Sequence, residues 1–262
     1  MKILFFGDIV GKPGQAAVKE AMSVWKDQYQ PDFVIANAEN ANPGDIVTPK
    51  ILDELISTGI EAFTYGDHFF DGDFSKVAEY PIVRPHNFSG DHPGTGYKVF
   101  ETALHRQVAV INLMGQAFVK PRVENYFNVI DELLKKIDPS DAIFVDFHAE
   151  TTSETEAIGW HLDGRVSAVI GTHTHVPTAD TRLLPKGTAF QADVGMSGAV
   201  NAIIGMDIER ANAWIRRQLG EDVPKSPPKD PRTPYAVDAV LIETDGPTKS
   251  KSIKRLTTRP AA

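Results

Sequence analysis

Five short apolar runs in this sequence each lead into residues able to bind a metal ion or move a proton. Asp8 follows Ile3–Gly7, Glu39 and Asn40 follow Phe33–Asn37, and Asp67 and His68 follow Ala62–Tyr65. His148 closes the run Ala142–Phe147, and His173 and His175 follow Ala168–Ile170. If the runs are strands of an α/β sheet, their carboxyl ends line the crevice where ligands bind, so side chains far apart in sequence can meet. In Gly171-Thr172-His173-Thr174-His175 an extended backbone would point both imidazoles to one face, because alternate strand residues share a side. Imidazoles beside carboxylates suit zinc, iron or manganese. Taken singly, each residue has a plainer reading: Asp8 as a helix cap, Glu39 as a surface carboxylate, His148 as a hydrogen-bonded core histidine. The repeated placement at strand ends outweighs these.

Charge sharpens the reading. Asp8, Glu39 and Asp67 bring three negative charges, and neutral histidines add none. One dication would leave the group negative, whereas two would leave it slightly positive, which attracts a phosphate ester and stabilises the charge that develops as its bond breaks. Other chemistry fails on inspection. Gly7–Pro13 has the look of a phosphate loop, but its glycine spacing is one short and Pro13 stands where a hydroxyl should bind magnesium. Gly195-Met196-Ser197-Gly198 is not a nucleophile elbow. A barrel-type amidohydrolase also builds metal sites from His-x-His and strand-end carboxylates, and it competes as a reading, although here the His-x-His comes late in the chain.

The elements that must position these residues follow from the patterning. Strands are expected at Ile3–Phe6, Phe33–Ala36, Ala62–Tyr65, Val108–Asn112, Ala142–Phe147, Ala168–Ile170 and Ala189–Asp193, each a short run bounded by Gly, Pro or Asp. Helices are expected at Gly14–Asp27, Pro49–Ser57, Arg122–Ile137 and Met206–Leu219. In the third, Val123, Phe127, Ile130, Leu134 and Ile137 form one apolar stripe. Thr48-Pro49 reads as a cap followed by Pro at the first helical position. A proline-rich connector spans Asp222–Pro234, followed by a strand pair at Ala236–Glu243 and Ser252–Thr257. The cluster Lys249, Lys251, Lys254 and Arg255 reads as a solvated face. Alternating strands and helices imply an α/β protein in layers.

Composition sets the outer bounds. The chain has 262 residues, 42% of them hydrophobic, and a net charge of −8 from 27 Lys and Arg against 35 Asp and Glu. This argues against an extended basic surface for duplex nucleic acid. No cysteine is present, which excludes disulfides, thiolate zinc sites and cysteine nucleophiles. No run approaches the roughly 18 apolar residues of a membrane span, and Asp8 interrupts the opening run. A cytoplasmic location with no membrane partner is expected.

In their order, these residues resemble the calcineurin-like metallophosphoesterase superfamily, and within it the YmdB-like bacterial phosphodiesterase family. The likeness covers most of the chain and is carried by Gly7–Gly14, Asn37–Asn40, Asn112–Gly115, Asp146–Glu150, Gly171–Val176 and Asp193–Met196. The resemblance implies one domain over residues 1–262 with a four-layer α-β-β-α sandwich. It implies one metal held by Asp8, Glu39, Asn40 and His175, and a second held by Glu39, Asp67, His148 and His173, with Glu39 bridging. Iron or manganese is the implied metal, with zinc also acceptable, and a cyclic nucleotide or other small phosphodiester the implied substrate. A metal-bridging hydroxide would attack phosphorus, and His68 would give the leaving oxygen its proton. The family pattern reads Gly-Asn-His where this chain has Gly66-Asp67-His68. The extra charge should hold the second metal more tightly and make it less electron-poor, and it leaves room for a non-catalytic metal- or nucleotide-binding protein. His86 has no ligand role in the pattern and reads as a loop residue near the substrate or at a subunit contact. A homo-oligomer is compatible with the sequence.

Overall fold

Runs whose alternate residues are all apolar can bury both faces, and that is how most strands of this chain are used. The computed structural model describes residues 1–120, 122–137, 140–225 and 234–259. In chain order the elements are β1 (Lys2–Phe6), β2 (Asp8–Ile9), α1 (Gly11–Tyr29), β3 (Phe33–Asn37), α2 (Pro49–Ser57), β4 (Ala62–Thr64), β5 (Ile82–Val83) and β6 (Tyr97–Glu101). There follow β7 (Gln107–Met114), α3 (Tyr126–Leu134), β8 (Ala142–His148), α4 (Thr152–Leu162), β9 (Ala168–Thr172), β10 (Arg182–Leu183) and β11 (Ala189–Gln191). The last are β12 (Met196–Ala199), α5 (Ile208–Gln218), β13 (Tyr235–Thr244) and β14 (Ser250–Thr258).

Among the described residues the strands form two sheets in a mixed α/β fold. One has the order β2-β12-β13-β1-β3-β4-β5, with β14 against β13, and the other the order β10-β11-β9-β8-β7-β6. Both orders are open, so the closed barrel of the amidohydrolase reading is not formed. β1, β3 and β4 run parallel, pairing Phe6 with Ala36 and Asn37 with Thr64. In the other sheet β7, β8 and β9 run parallel, with Met114 opposite His148 and His148 opposite Thr172. Each sheet therefore brings three adjacent strands to a common carboxyl end.

Alternation divides the core. In β1, Ile3 and Phe5 join Val110, Phe144 and Ile170 of the opposite sheet, and the Phe5 and Phe144 rings lie 4.9 Å apart. Leu4 and Phe6 belong instead to a cluster with Val18 and Trp25 of α1 and Leu52 and Leu55 of α2. A third cluster joins Val145, Phe147 and Val169 to Ile130 and Leu133 of α3 and to Ile158 and Leu162 of α4. α1 and α2 thus pack on one sheet and α3 and α4 on the other, on the faces turned away from the inter-sheet core.

Local chemistry sets the helix starts. Thr48 accepts a hydrogen bond from the Ile51 amide, with Pro49 next, as the sequence implied. The expected Arg122–Ile137 helix begins only at Tyr126, because the Asn125 side chain caps it by accepting from Phe127 N and Asn128 N. Asp207 likewise starts α5 at Ile208 by accepting from Arg210 N. The expected terminal strand pair is β13 and β14. The expected connector Asp222–Pro234 lies largely outside the described residues. No helix among the described residues is long and apolar enough to cross a membrane.

The inter-sheet core gives a direct stability test. Phe144 is fully buried, and Phe144→Ala should cost about 3–5 kcal/mol. Urea unfolding followed by circular dichroism measures this, and a loss below about 1 kcal/mol would contradict the packing described.

Candidate metal centre

Each expected site residue sits where a strand runs out. Gly7 turns the chain from β1 into β2, which pairs in parallel with β12 and sets Asp8 opposite Met196. A Cβ on Gly7 would overlap the Gly195 carbonyl, so only glycine permits this close crossing. Asp8 does not cap α1: Val10 holds the cap position and no side chain bonds there. Glu39 and Asn40 open the 3-10 turn Glu39–Ala41 after β3, and Glu39 is only 1% exposed, which rules out a surface carboxylate. Asp67 and His68 open the turn Asp67–Asp71 after β4, and His148 is the last residue of β8.

The histidine pair departs from expectation. β9 stops at Thr172, and His173 and His175 take φ values of 109° and 65°, so the segment is not extended and strand alternation does not bring the rings together. Positive φ in residues other than glycine is costly and persists only where the surroundings enforce it. Asp193 does so here. Its Oδ2 accepts from Thr174 N at 2.9 Å and from Thr174 Oγ1 at 2.8 Å, while its Oδ1 accepts from Gly195 N at 2.7 Å. The residue between the two histidines is thereby pinned, and the rings swing to different partners.

One donor set is formed by Glu39, Asp67, His148 and His173, which each offer a ligand atom within 4.8 Å of the others. His148 Nε2 lies 3.0 Å from Glu39 Oε1, 3.2 Å from Asp67 Oδ1 and 2.9 Å from His173 Nδ1. Supporting bonds fix which nitrogen faces inward. Thr172 Oγ1 donates to Asp146 Oδ1 at 2.7 Å, so it accepts from His148 Nδ1 at 2.9 Å and leaves the neutral ring's lone pair on Nε2. His173 Nε2 lies 3.1 Å from Glu150 Oε2, which leaves that ring's lone pair on Nδ1. Two nitrogen lone pairs and two carboxylates then face one point. The second Glu39 oxygen, Oε2, is buried with no hydrogen-bond partner, a costly state for a charged acceptor. A Cβ on Gly66 would collide with this oxygen and with His148 Nε2, so glycine keeps the space open. A divalent ion would satisfy every one of these groups, and the oxygen and imidazole donors fit iron, manganese or zinc.

A neighbouring set is formed by Asp8, Asn40 and His175, with Glu39 alongside. Asn40 Nδ2 lies 3.3 Å from Asp8 Oδ1, 3.2 Å from Glu39 Oε1 and 3.3 Å from His175 Nε2. His175 donates Nδ1–H to the Ile204 carbonyl at 2.9 Å, which turns its Nε2 lone pair toward Asp8. Asp8 Oδ2 accepts from His173 N at 3.2 Å and so ties the two sets together. The structure brings all seven expected ligand residues into these two sets.

The electrostatics point the same way. Burial opposes the charged form of His148, but the Glu39 and Asp67 carboxylates outweigh it and raise the ring well above its ordinary value. In His175 the same contest, won chiefly by Asp8, ends at about 9. Asp8 and Asp67 are held well below the usual carboxylate range despite burial, the first by His175 and the second by His148 and His173. Burial prevails in Asp146 and Asp193, both pushed up to about 7. The crevice therefore gathers positive charge, and protons and metal ions compete there for the same lone pairs.

His68 stands apart from the ligand sets. Its Nδ1 meets Asp71 Oδ2 at 2.5 Å. Burial acts to lower its pKa, but the Glu39 charge and the Asp71 bond raise it. Asp71 was not singled out in the sequence, although its place three residues after His68 in one turn is the signal that could have found it. Asp146, Glu150 and Asp193 stand in the motifs that carry the family likeness, and their roles as supports come from the structure. His86 lies away from the ligand sets, in a cavity of about 550 Å³ lined by Tyr97, Glu124 and Lys136 among others, with its ring 5.6 Å from that of Tyr97.

Fold and site together define a two-sheet α/β protein with a crevice at its strand ends whose Glu, Asp and His side chains could hold a metal ion. The chain belongs to the family described as YmdB-like protein, whose profile matches residues 4–256. The 2',3'-cyclic-nucleotide 2'-phosphodiesterase of Bacillus subtilis (strain 168) is 46% identical over 212 residues, 80% of each chain. Among solved structures, a hypothetical protein from Thermus thermophilus superposes with a TM-score of 0.88 at 35% identity, covering 98% of this chain and 99% of that one. A novel phosphatase of Mycoplasma pneumoniae gives a TM-score of 0.86 at 33% identity, covering 98% and 93%.

The pinning role of Asp193 is testable. Asp193→Ala should keep the fold and weaken metal affinity by about 10- to 100-fold, as loss of supporting partners does. Manganese titration of chelator-stripped protein measures it, and unchanged affinity would refute the role.

Proposed function

We propose that the chain is a metal-dependent phosphodiesterase acting on cyclic nucleotides, built as a single four-layer α-β-β-α sandwich of the metallophosphoesterase type. Asp8, Glu39, Asn40 and His175 would hold one metal ion, with the Asn40 amide turned over so that its oxygen replaces the Nδ2 that now faces Asp8, Glu39 and His175, and Glu39, Asp67, His148 and His173 a second. The observation that carries this reading is the Glu39 carboxylate. Its Oε1 is shared between His148 Nε2 at 3.0 Å and Asn40 Nδ2 at 3.2 Å, and its buried Oε2 has no partner. One carboxylate thus faces both sets, as a bridging ligand must. The activity for which the Bacillus relative is named, 2',3'-cyclic-nucleotide 2'-phosphodiesterase, supports the substrate class.

Bound at these sets, divalent ions would supply Lewis acidity and a water activated for attack on phosphorus. Without cations, Asp8, Glu39 and Asp67 would repel a phosphodiester. Asp67 lies 3.2 Å from His148 Nε2 and 3.3 Å from His173 Nδ1, so the second set keeps an oxygen donor at the position where the family pattern has an amide. The remaining chemical need is a proton for the departing alkoxide. His68 is suited to it: Asp71 holds Nδ1, the carboxylates favour the imidazolium, and Nε2 is left to donate. In such a hydrolysis the attacking water would give one proton to solvent as its oxygen bonds to phosphorus, and the leaving oxygen would take the His68 proton as the phosphorus–alkoxide bond breaks.

General acid catalysis is typically worth about 100- to 10,000-fold. His68→Ala should retain its metals and lose turnover by that order on 2',3'-cyclic adenosine monophosphate. It should lose far less on bis(p-nitrophenyl) phosphate, whose leaving group needs no proton. Equal losses on both substrates would refute the proton-donor role. Tight nucleotide binding by the metal-loaded wild type with no hydrolysis of either would refute the enzyme itself.

A further inference from the structure

We infer that Phe118 is the platform on which the base of a nucleotide substrate stacks, an assignment that rests on the phosphodiesterase reading above. Phe118 is 91% exposed and has φ of 62°, a left-handed conformation that is a genuine outlier for a bulky side chain. Neither feature comes from a loose loop. Immediately before it, Gly115 N donates to the His148 carbonyl at 2.9 Å, and Gln116 N and Ala117 N donate to the two Glu154 carboxylate oxygens at 2.9 and 3.0 Å. Immediately after it, Val119 is buried in the cluster that holds Phe69, Phe88 and Met114. The backbone is clamped on both sides, and the clamp turns an aromatic ring into water.

The clamp also locates the ring. Gly115 hangs from the carbonyl of His148, and Glu154 lies in the first turn of α4, just beyond Glu150, which meets His173 at 3.1 Å. The other wall is the His68 turn: the Phe70 ring packs on Phe88 at 4.9 Å. Beside Phe88, Asn87 exchanges bonds with Met114, accepting from its N at 2.9 Å and donating to its O at 2.8 Å. Phe118 therefore lies on the segment that runs from the Gly115 bond to the His148 carbonyl to Val119, packed with Phe69 next to His68, a position from which its ring would reach the base of a substrate whose phosphate sits at the ligand sets. Phe70, the rival ring beside His68, is less available, 43% exposed against 91%, because Phe69 and Phe88 pack against it. A nucleobase offers a flat face that any aromatic ring can stack on, whatever the base, and a phosphodiester without a base offers Phe118 nothing.

Steady-state kinetics of the manganese-loaded protein test this with 2',3'-cyclic adenosine monophosphate and with ethylene phosphate, the five-membered cyclic diester that lacks a base. Phe118→Ala should raise KM for the nucleotide by about 5- to 150-fold, the cost of one lost base–aromatic stack. It should leave kcat and the kinetics on ethylene phosphate unchanged, and Phe118→Trp should restore the nucleotide KM. An unchanged nucleotide KM in Phe118→Ala, or an equal loss on both substrates, overturns the stacking role while leaving the phosphodiesterase reading intact. Failure of the wild type to hydrolyse either diester overturns the phosphodiesterase reading and the stacking role with it.

Discussion

The crevice is organised around a repulsion that only a cation can relieve. His148 Nε2 and His173 Nδ1 point lone pairs at one another across 2.9 Å, with the Glu39 and Asp67 carboxylates closing the ring. In water such groups would turn away; here a proton or a metal ion has to come between them. Here His148 and Glu39 are almost wholly buried, and the His148 ring is held from behind by Thr172 and Asp146. Unrelieved charge of this kind costs several kcal/mol per group, so the rest of the molecule has to force the arrangement.

That force comes from the sheets. Parallel strands of both sheets end at the crevice, and a polar layer joins them beneath it: Asn37 of β3 donates to Asp146 of β8 at 3.4 Å, and Asp146 accepts from Thr172 of β9 at 2.7 Å. Asn37 Oδ1 also accepts from the Glu39 amide at 3.1 Å. The same residues that tie sheet to sheet therefore aim Glu39 and His148. Asp193 performs the matching task on the other side, stabilising a backbone at Thr172–His175 that would not adopt its positive φ values unaided. Such local strain is found at functional sites, where the surroundings over-determine it.

Much of this was legible in the sequence, for physical reasons. Long, doubly buried strands such as those around Phe5, Phe144 and Ile170 announce themselves as apolar runs, and ligands at their ends inherit that clarity. β6 hides because it is a half-exposed edge, and β2, β5 and β10 because two residues carry no period. α4 hides because its buried stripe is filled by Thr155, Ile158, Gly159 and Leu162; the glycine admits the Phe190 ring, against which a Cβ would press. The geometry of His173 and His175 escapes a reading by strand alternation because β9 ends at Thr172, one residue short of the pair. The supporting residues Asp146, Glu150 and Asp193 were invisible as such, since their roles depend on partners up to 109 positions away, as between Asn37 and Asp146. Family likeness orders the ligands but does not say what holds them.

The most direct test of the shared crevice is calorimetric titration of manganese into chelator-stripped protein, with Glu39→Ala beside the wild type. Two ions per chain should bind the wild type, and removing the one carboxylate common to both sets should weaken both together. Two undiminished binding events in Glu39→Ala, or none in the wild type, would contradict the account.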